Sequence, residues 1–98
     1  MTFVFEKERL TARSPDGLSM GHISFPRVRP GLVRIDQVMT NPGFRGQGVA
    51  ESMMEALLTH LTNQNQKAAL TCPIAQQYVR KNPRWKHILP GDLHCVTH

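Results

Sequence analysis

A single α/β domain, mostly antiparallel in its sheet and carrying two principal helices, is the fold this sequence predicts. Three features lead there. Early in the chain, short apolar runs are separated by Pro and Gly turns, the pattern of hairpins. Midway, an apolar run from Leu32 to Thr40 is followed by a glycine-bearing loop, an amphipathic run from about Ala50 to Gln64, and a short apolar run from Lys67 to Cys72. A strand, helix, strand succession of this kind closes as a right-handed crossover with its two strands parallel. Finally, 98 residues leave room for one modest core.

Taken in order, Thr2 to Arg13 mixes Phe3, Val4 and Phe5 with Glu6-Lys7-Glu8-Arg9 before reaching Leu10 and Ala12. It reads as a strand or two, with Val4, Leu10 and Ala12 on one face. Ser14-Pro15-Asp16-Gly17 is a turn: Pro fixes φ, Asp bonds its own backbone and Gly closes. Leu18 to Phe25 returns as a strand and forms a hairpin with the first. Arg27 to Gly31, bracketed by Pro26 and Pro30, reads as a second turn. In Leu32 to Thr40, Val33 and Ile35 share one parity while Val38 takes the other, the one-residue slip that a β-bulge produces.

Val49, Met53, Leu57 and Leu61 then recur every four residues, with Ala50, Met54 and Leu58 beside them and Glu51, Ser52, Glu55, Thr59 and Thr62 opposite. That is a helix laid on a sheet, and its methionines read as core filler. Pro73 suits a first helical position, opening a second helix through about Lys81 that Pro83-Arg84-Trp85 breaks. From His87 onward no element is predicted. Residues 1–98 are read as one domain, with 88–98 as an irregular tail.

The loop Asn41-Pro42-Gly43-Phe44-Arg45-Gly46-Gln47-Gly48-Val49-Ala50 is the stretch most suggestive of function. Gly46 and Gly48 can take positive φ and turn their N–H groups to one side. The helix that follows starts with unpaired N–H donors and the positive end of its dipole, and no Ser, Thr, Asp or Asn stands in the capping position. An external phosphate is the natural acceptor, and Arg45 adds charge at the lip. A tight turn and nothing more is the competing reading. Neither a P-loop nor the G-x-G-x-x-G spacing fits these glycines.

What does fit is Arg45-x-x-Gly48-x-Ala50, which resembles the [Q/R]-x-x-G-x-[G/A] signature of GCN5-related N-acetyltransferases. Downstream, Thr71-Cys72-Pro73 and Tyr78-Val79-Arg80-Lys81-Asn82-Pro83 resemble the C-P…Y…P block of the short, single-domain members of about a hundred residues. The resemblance spans about Val33 to Trp85. It implies a minimal acetyl-CoA N-acyltransferase fold, in which a bulged strand before the loop splays from a parallel neighbour and the pantetheine arm lies in the gap. It also implies an acetyl-CoA cosubstrate, held by Arg45, Gly46, Gln47, Gly48, Val49 and Ala50, by the main chain of Val38, Met39 and Thr40, and by Lys81.

Acetyl transfer to an amine needs a neutral amine, reactants held in line and a donor for the developing oxyanion. The resemblance assigns that donor to the backbone N–H of Val38. It makes Tyr78 the candidate proton donor to the departing thiolate, although a core tyrosine with its hydroxyl at the rim reads equally well. Cys72 is either a small buried hydrophobe or a thiol near the thioester, where a helix N-terminus would activate it. The short family often carries His-Thr-Glu-Val on the strand before the loop, whereas this chain has Gln37-Val38-Met39-Thr40. Both the His and the Glu are missing, so no base is assigned there; Asp36 is nearby and weak. Arg80, Lys81 and Arg84 are candidates for the 3′-phosphate, or a solvated basic face.

Longer relatives insert two helices between their first two strands. Here the Ser14-Pro15-Asp16-Gly17 turn leaves no room, so the acceptor side is expected to be open to a peptide, protein or small-molecule amine. A net charge of +5 fits an anionic partner, but no RNP, helix-turn-helix or zinc-finger pattern accompanies the scattered basic residues. Two other readings stay open: a non-catalytic coenzyme A or phosphate-binding module, and a small basic nucleic-acid-binding domain. No run reaches the length of a membrane span. Cys72 and Cys95 lack C-x-x-C spacing, which points to a reduced, cytoplasmic protein. His94-Cys95-x-x-His98 has metal-like residue types but reads as a chance cluster, so no metal is expected.

Overall fold

The computed structural model describes residues 1–90. Its elements are β1 (Thr2–Phe5), β2 (Arg9–Arg13), β3 (Ser19–Ser24), β4 (Arg27–Arg29), β5 (Leu32–Ile35), β6 (Gln37–Thr40), α1 (Val49–Asn63), β7 (Lys67–Leu70) and α2 (Pro73–Lys81). One-turn 3-10 segments add Pro42–Phe44 and, longer, Pro83–Ile88. The strands form two sheets: an antiparallel one in the order β1-β2-β3-β6, and a second in the order β4-β5-β7. Within the second, β5 and β7 are parallel, with Val33 opposite Ala68 and Ile35 opposite Leu70. The crossover predicted through α1 is therefore present, split across two sheets rather than one.

The helix periodicity translates directly into burial. Val49, Met53, Met54, Leu57, Leu58 and Leu61 of α1 are buried and pack with Leu10, Ala12, Ile23, Val33, Ile35 and Val38 of the strands. Ala75 and Val79 of α2, then Trp85 and Ile88 of the segment that follows, complete the same core. Both helices thus cover one side of the sheets. On the opposite side, Arg9, Thr11, Arg13, His22, Ser24, Gln37 and Met39 are exposed or half-buried, and no described element covers them.

Three local readings are corrected. Val4 does not share the face of Leu10 and Ala12: β1 pairs with β2 so that Phe3 lies opposite Ala12 and Phe5 opposite Leu10. Face parity is reset by the intervening turn, which sends Phe3 toward the core and leaves Val4 36% exposed. Arg27 to Gly31 is not all turn. Arg27–Arg29 is a short strand antiparallel to β5, and only Pro30 and Gly31 (φ +81°) make the bend. Leu18 to Phe25 pairs with β2 rather than with the first strand, because Thr2 to Arg13 is itself a hairpin.

A bulge in β3, where the register shifts between Ala12 and Arg13, turns Met20 into the core. Beside it, Gly21 must be glycine. A Cβ there would lie 2.4 Å from the carbonyl oxygen of Met39 and 3.2 Å from Cε of Met53. The close approach of β3 to β6, and of α1 to both, depends on that missing atom.

Candidate functional site

The parity slip in Leu32 to Thr40 is realised as a change of partner. Up to Ile35 the chain bonds β7, and the Ile35 carbonyl accepts from the N–H groups of Thr71 and Cys72 at 3.1 and 3.2 Å. From Asp36 it bonds β3, beginning with Asp36 N–H to the Ser24 carbonyl at 3.2 Å. Pro73 then starts α2, having no N–H to offer a neighbouring strand. No described strand runs along the free edge of β6, and the sheets splay there.

Which groups face that opening follows from the ladder. Gln37 to Thr40 pair with Ser24 to Gly21, and Asn41 N–H donates to the Met20 carbonyl at 2.9 Å. In an antiparallel ladder hydrogen-bonded and non-hydrogen-bonded pairs alternate. Asn41, Met39 and Gln37 therefore bond toward β3, while the N–H and C=O of Val38 and Thr40 point to the open edge.

The loop after β6 is fixed at both ends. Asn41 donates through Nδ2 to the Ser19 carbonyl at 2.6 Å, and Phe44 packs against the core. Gly46 (φ +81°) and Gly48 (φ +74°) then carry the chain through left-handed conformations into α1. Gly48 is the N-cap of α1 and supplies no side-chain acceptor, so the first-turn donors of a fifteen-residue helix are left for something else. Nothing lies within 4 Å of where a Cβ would stand on Gly46 or Gly48. Thr40, Phe44, Arg45, Gly46, Gly48, Val49, Ala50 and Glu51 line a cavity of about 280 Å³ here. Among the described residues, no hydrogen bond or ion pair engages the exposed Arg45 side chain. Backbone donors, a helix N-terminus and a free guanidinium around one concavity suit a diphosphate.

A second cavity, of about 250 Å³, adjoins the first along α1. Ala50 and Glu51 border both, while Ile74, Gln77, Tyr78, Lys81 and Asn82 supply its α2 wall. Tyr78 is half-buried, packed against the core, and its hydroxyl has no hydrogen-bond partner among the described residues. Lys81 lies three residues on, exposed, in the last turn. Cys72 is the N-cap of α2, 6% exposed and in the core rather than in either cavity. Gln76 Nε2 closes that corner by donating to the Leu70 carbonyl at 2.8 Å.

Of the residues singled out from sequence, Thr40, Arg45, Gly46, Gly48, Val49 and Ala50 thus come together at one cavity, and Tyr78 and Lys81 meet them across the next. Val38 reaches the region by its main chain only. Met39 projects away, 43% exposed on the uncovered sheet face, and Gln47 lines neither cavity. Arg84 is engaged elsewhere, donating to Glu55 at 2.8 Å and lying over the Trp85 ring. His94, Cys95 and His98 lie outside the described residues; among those described, no group of His, Cys, Asp and Glu could hold a metal ion. Sequence reading missed Asn41 and Phe44, the anchors of the loop. An amide followed by Pro-Gly and an aromatic within a polar loop was their available signal. A larger groove, about 520 Å³, runs between β1 and α1 past Phe3, Phe5 and His60, and neither Gly46 nor Gly48 lines it.

Comparison with known proteins agrees with this fold. Residues 9–88 match the family model described as GCN5-related N-acetyl-transferase. Protein NATD1 of Gallus gallus and its Mus musculus counterpart are each 33% identical over 52 residues, which is 53% of this chain and 47% of theirs. The match thus spans about half the length of these curated relatives. Among solved structures, a GCN5-like protein of Staphylococcus aureus superposes with a TM-score of 0.73 at 18% identity, over 92% of this chain and 88% of that one. Rv2747 of Mycobacterium tuberculosis, solved with CoA and NLQ, gives 0.63 at 19% identity over 78% and 48%. At these identities the structural likeness speaks for the fold, and none of the described helices is long and apolar enough to cross a membrane. With the family match covering β2 through the segment after α2, the chain belongs to the GCN5-related N-acetyltransferase family.

Proposed function

We propose that this protein is an acetyl-CoA-dependent N-acetyltransferase that passes the acetyl group directly to an amine, both substrates being bound at once. The observation that carries the reading is the uncapped start of α1 at Gly48, opening into a cavity beside the splayed edge of β6. Main-chain donors of Gly46 to Ala50 and the Arg45 guanidinium would hold the diphosphate, with Lys81 offering charge farther along. The pantetheine arm would run along β6, bonded by the main chain of Thr40.

In this reading the Val38 N–H receives the oxyanion that develops on the thioester carbonyl. A fixed main-chain donor suits the task because it needs no reorganisation as charge appears. Tyr78 protonates the sulfur as it leaves. Cys72 acts structurally, since its buried place at the α2 N-cap gives it packing and no access. The amine acceptor, small or protein-borne, would approach from the uncovered sheet face. Support comes from the tight connections between β1, β2 and β3, which put nothing over that face.

The test is turnover of acetyl-CoA with a panel of amines, run beside thermal stabilisation by CoA. Tyr78→Phe should bind CoA normally and lose about two orders of magnitude in kcat, whereas Cys72→Ala should keep its kcat. Loss of activity in Cys72→Ala at unchanged CoA binding would point instead to an acetyl-cysteine route. CoA binding without turnover on any amine would make the protein a binding module.

A further inference from the structure

We infer that His22 is the proton acceptor for the incoming amine, a role that rests on the transferase reading above. An amine reaches the protein largely as an ammonium and must lose a proton before it can attack. The side chains of β6 cannot take one: Gln37, Val38, Met39 and Thr40 have no basic group. The register supplies one from the neighbouring strand. His22 of β3 lies directly opposite Met39, the residue after Val38, and the two side chains share the uncovered face. Paired positions of this kind bring side chains within about 5 Å at their Cβ atoms.

Asp36 and the other described histidines are committed elsewhere. Asp36 faces Arg34 at 3.5 Å. The His60 ring stacks on Phe5 at 4.3 Å in the β1–α1 groove. His87 makes ring contacts with the Arg84 carbonyl and the Thr62 hydroxyl. The His22 ring, half-buried, has no hydrogen bond, ion pair or ring contact among the described residues. From β2 it faces Thr11, with Arg9 and Arg13 on the diagonals, and from β6 it faces Met39 and Gln37. No carboxylate faces it from either strand or from its own strand neighbours, Met20 and Ser24.

The step balances without another reagent. A proton passes from the ammonium to the imidazole, directly or through one water, and the freed pair on nitrogen forms the N–C bond at the thioester carbonyl. The C–S bond breaks with its electron pair leaving on sulfur, which takes the Tyr78 proton. The second proton shed by nitrogen restores Tyr78. The products are the amide, the thiol and one proton that the imidazolium releases to water.

The experiment compares wild type, His22→Gln, and His22→Gln combined with Met39→Glu, in kcat/KM from pH 6 to pH 10 and in thermal stabilisation by CoA. His22→Gln should leave the CoA stabilisation intact and lower kcat/KM about 10- to 100-fold near pH 7. The deficit should shrink toward pH 10, where the amine deprotonates unaided. Met39→Glu, placing a carboxylate at the paired position, should recover part of the loss. An unchanged pH profile in His22→Gln, or a loss that Met39→Glu does not repair, overturns the role of His22 while leaving the transferase reading standing. Wild type that binds CoA and acetylates no amine overturns both.

Discussion

Replacing Gly48 by alanine separates backbone strain from loss of a ligand contact, because the fold supplies its own control. Gly48 sits at φ +74° and Gly17, in the β2–β3 turn, at φ +85°. At neither position would an added Cβ meet a protein atom within 4 Å. Both substitutions therefore impose the cost of holding an L-residue in the left-handed region, about 1–2 kcal/mol, and no clash. For a domain of 98 residues that is a fall in Tm of roughly 5–15 °C, at about 4–8 °C per kcal/mol. They part company when CoA is added. At a hundredfold excess over Kd a ligand stabilises the native state by about 2.7 kcal/mol, a rise on the order of 10–20 °C on the same scale. Gly17→Ala should keep that rise in full. Gly48→Ala, at a residue that lines the cavity together with Thr40, Arg45 and Gly46, should lose most of it. Scanning calorimetry of both variants with and without CoA reads the difference. Equal CoA-induced shifts in the two variants would refute the idea that the loop grips the diphosphate.

Gly21→Ala should destabilise the fold by about 1–3 kcal/mol, the range for overpacking a core, because its Cβ would press on backbone of β6 rather than on a yielding side chain. Urea denaturation checks this; a change within 0.5 kcal/mol, on the scale of an ordinary surface substitution, would mean that β3 and β6 are less closely apposed. Glu51→Gln removes a carboxylate that borders both cavities. It should tighten CoA binding about two- to threefold at low salt, the effect of one partly screened like charge several ångströms away. Titration calorimetry at two ionic strengths would show the gain shrinking as salt rises.

Much of this architecture was legible because side-chain chemistry and backbone geometry coincide in it. The four-residue recurrence of Val49, Met53, Leu57 and Leu61 places α1, and Pro73 opens α2 at its observed first residue. The slip of Val38 against Val33 and Ile35 marks where the strand changes partner, and Gly46 and Gly48 mark the left-handed entry to α1. What escaped was decided between segments. Arg27–Arg29 is a strand although its apolar residue, Val28, is 51% exposed. Backbone pairing at an edge holds it, and no burial pattern announces that. Phe3 takes the inward place expected for Val4 because register across a turn, not parity along the chain, sets the face. His22 shows no partner within the sequence. Its place opposite Met39 follows from the pairing of β3 with β6, and the bulge that buries Met20 sits two residues away.

Amide chemical shifts recorded while CoA is titrated into 15N-labelled protein test the cradle most directly. The largest changes should fall on Gly46, Gln47, Gly48, Val49 and Ala50, with Val38 and Thr40 following along the free edge of β6. Changes gathered instead around Phe3, Phe5 and His60, in the groove between β1 and α1, with the loop amides unmoved, would contradict it.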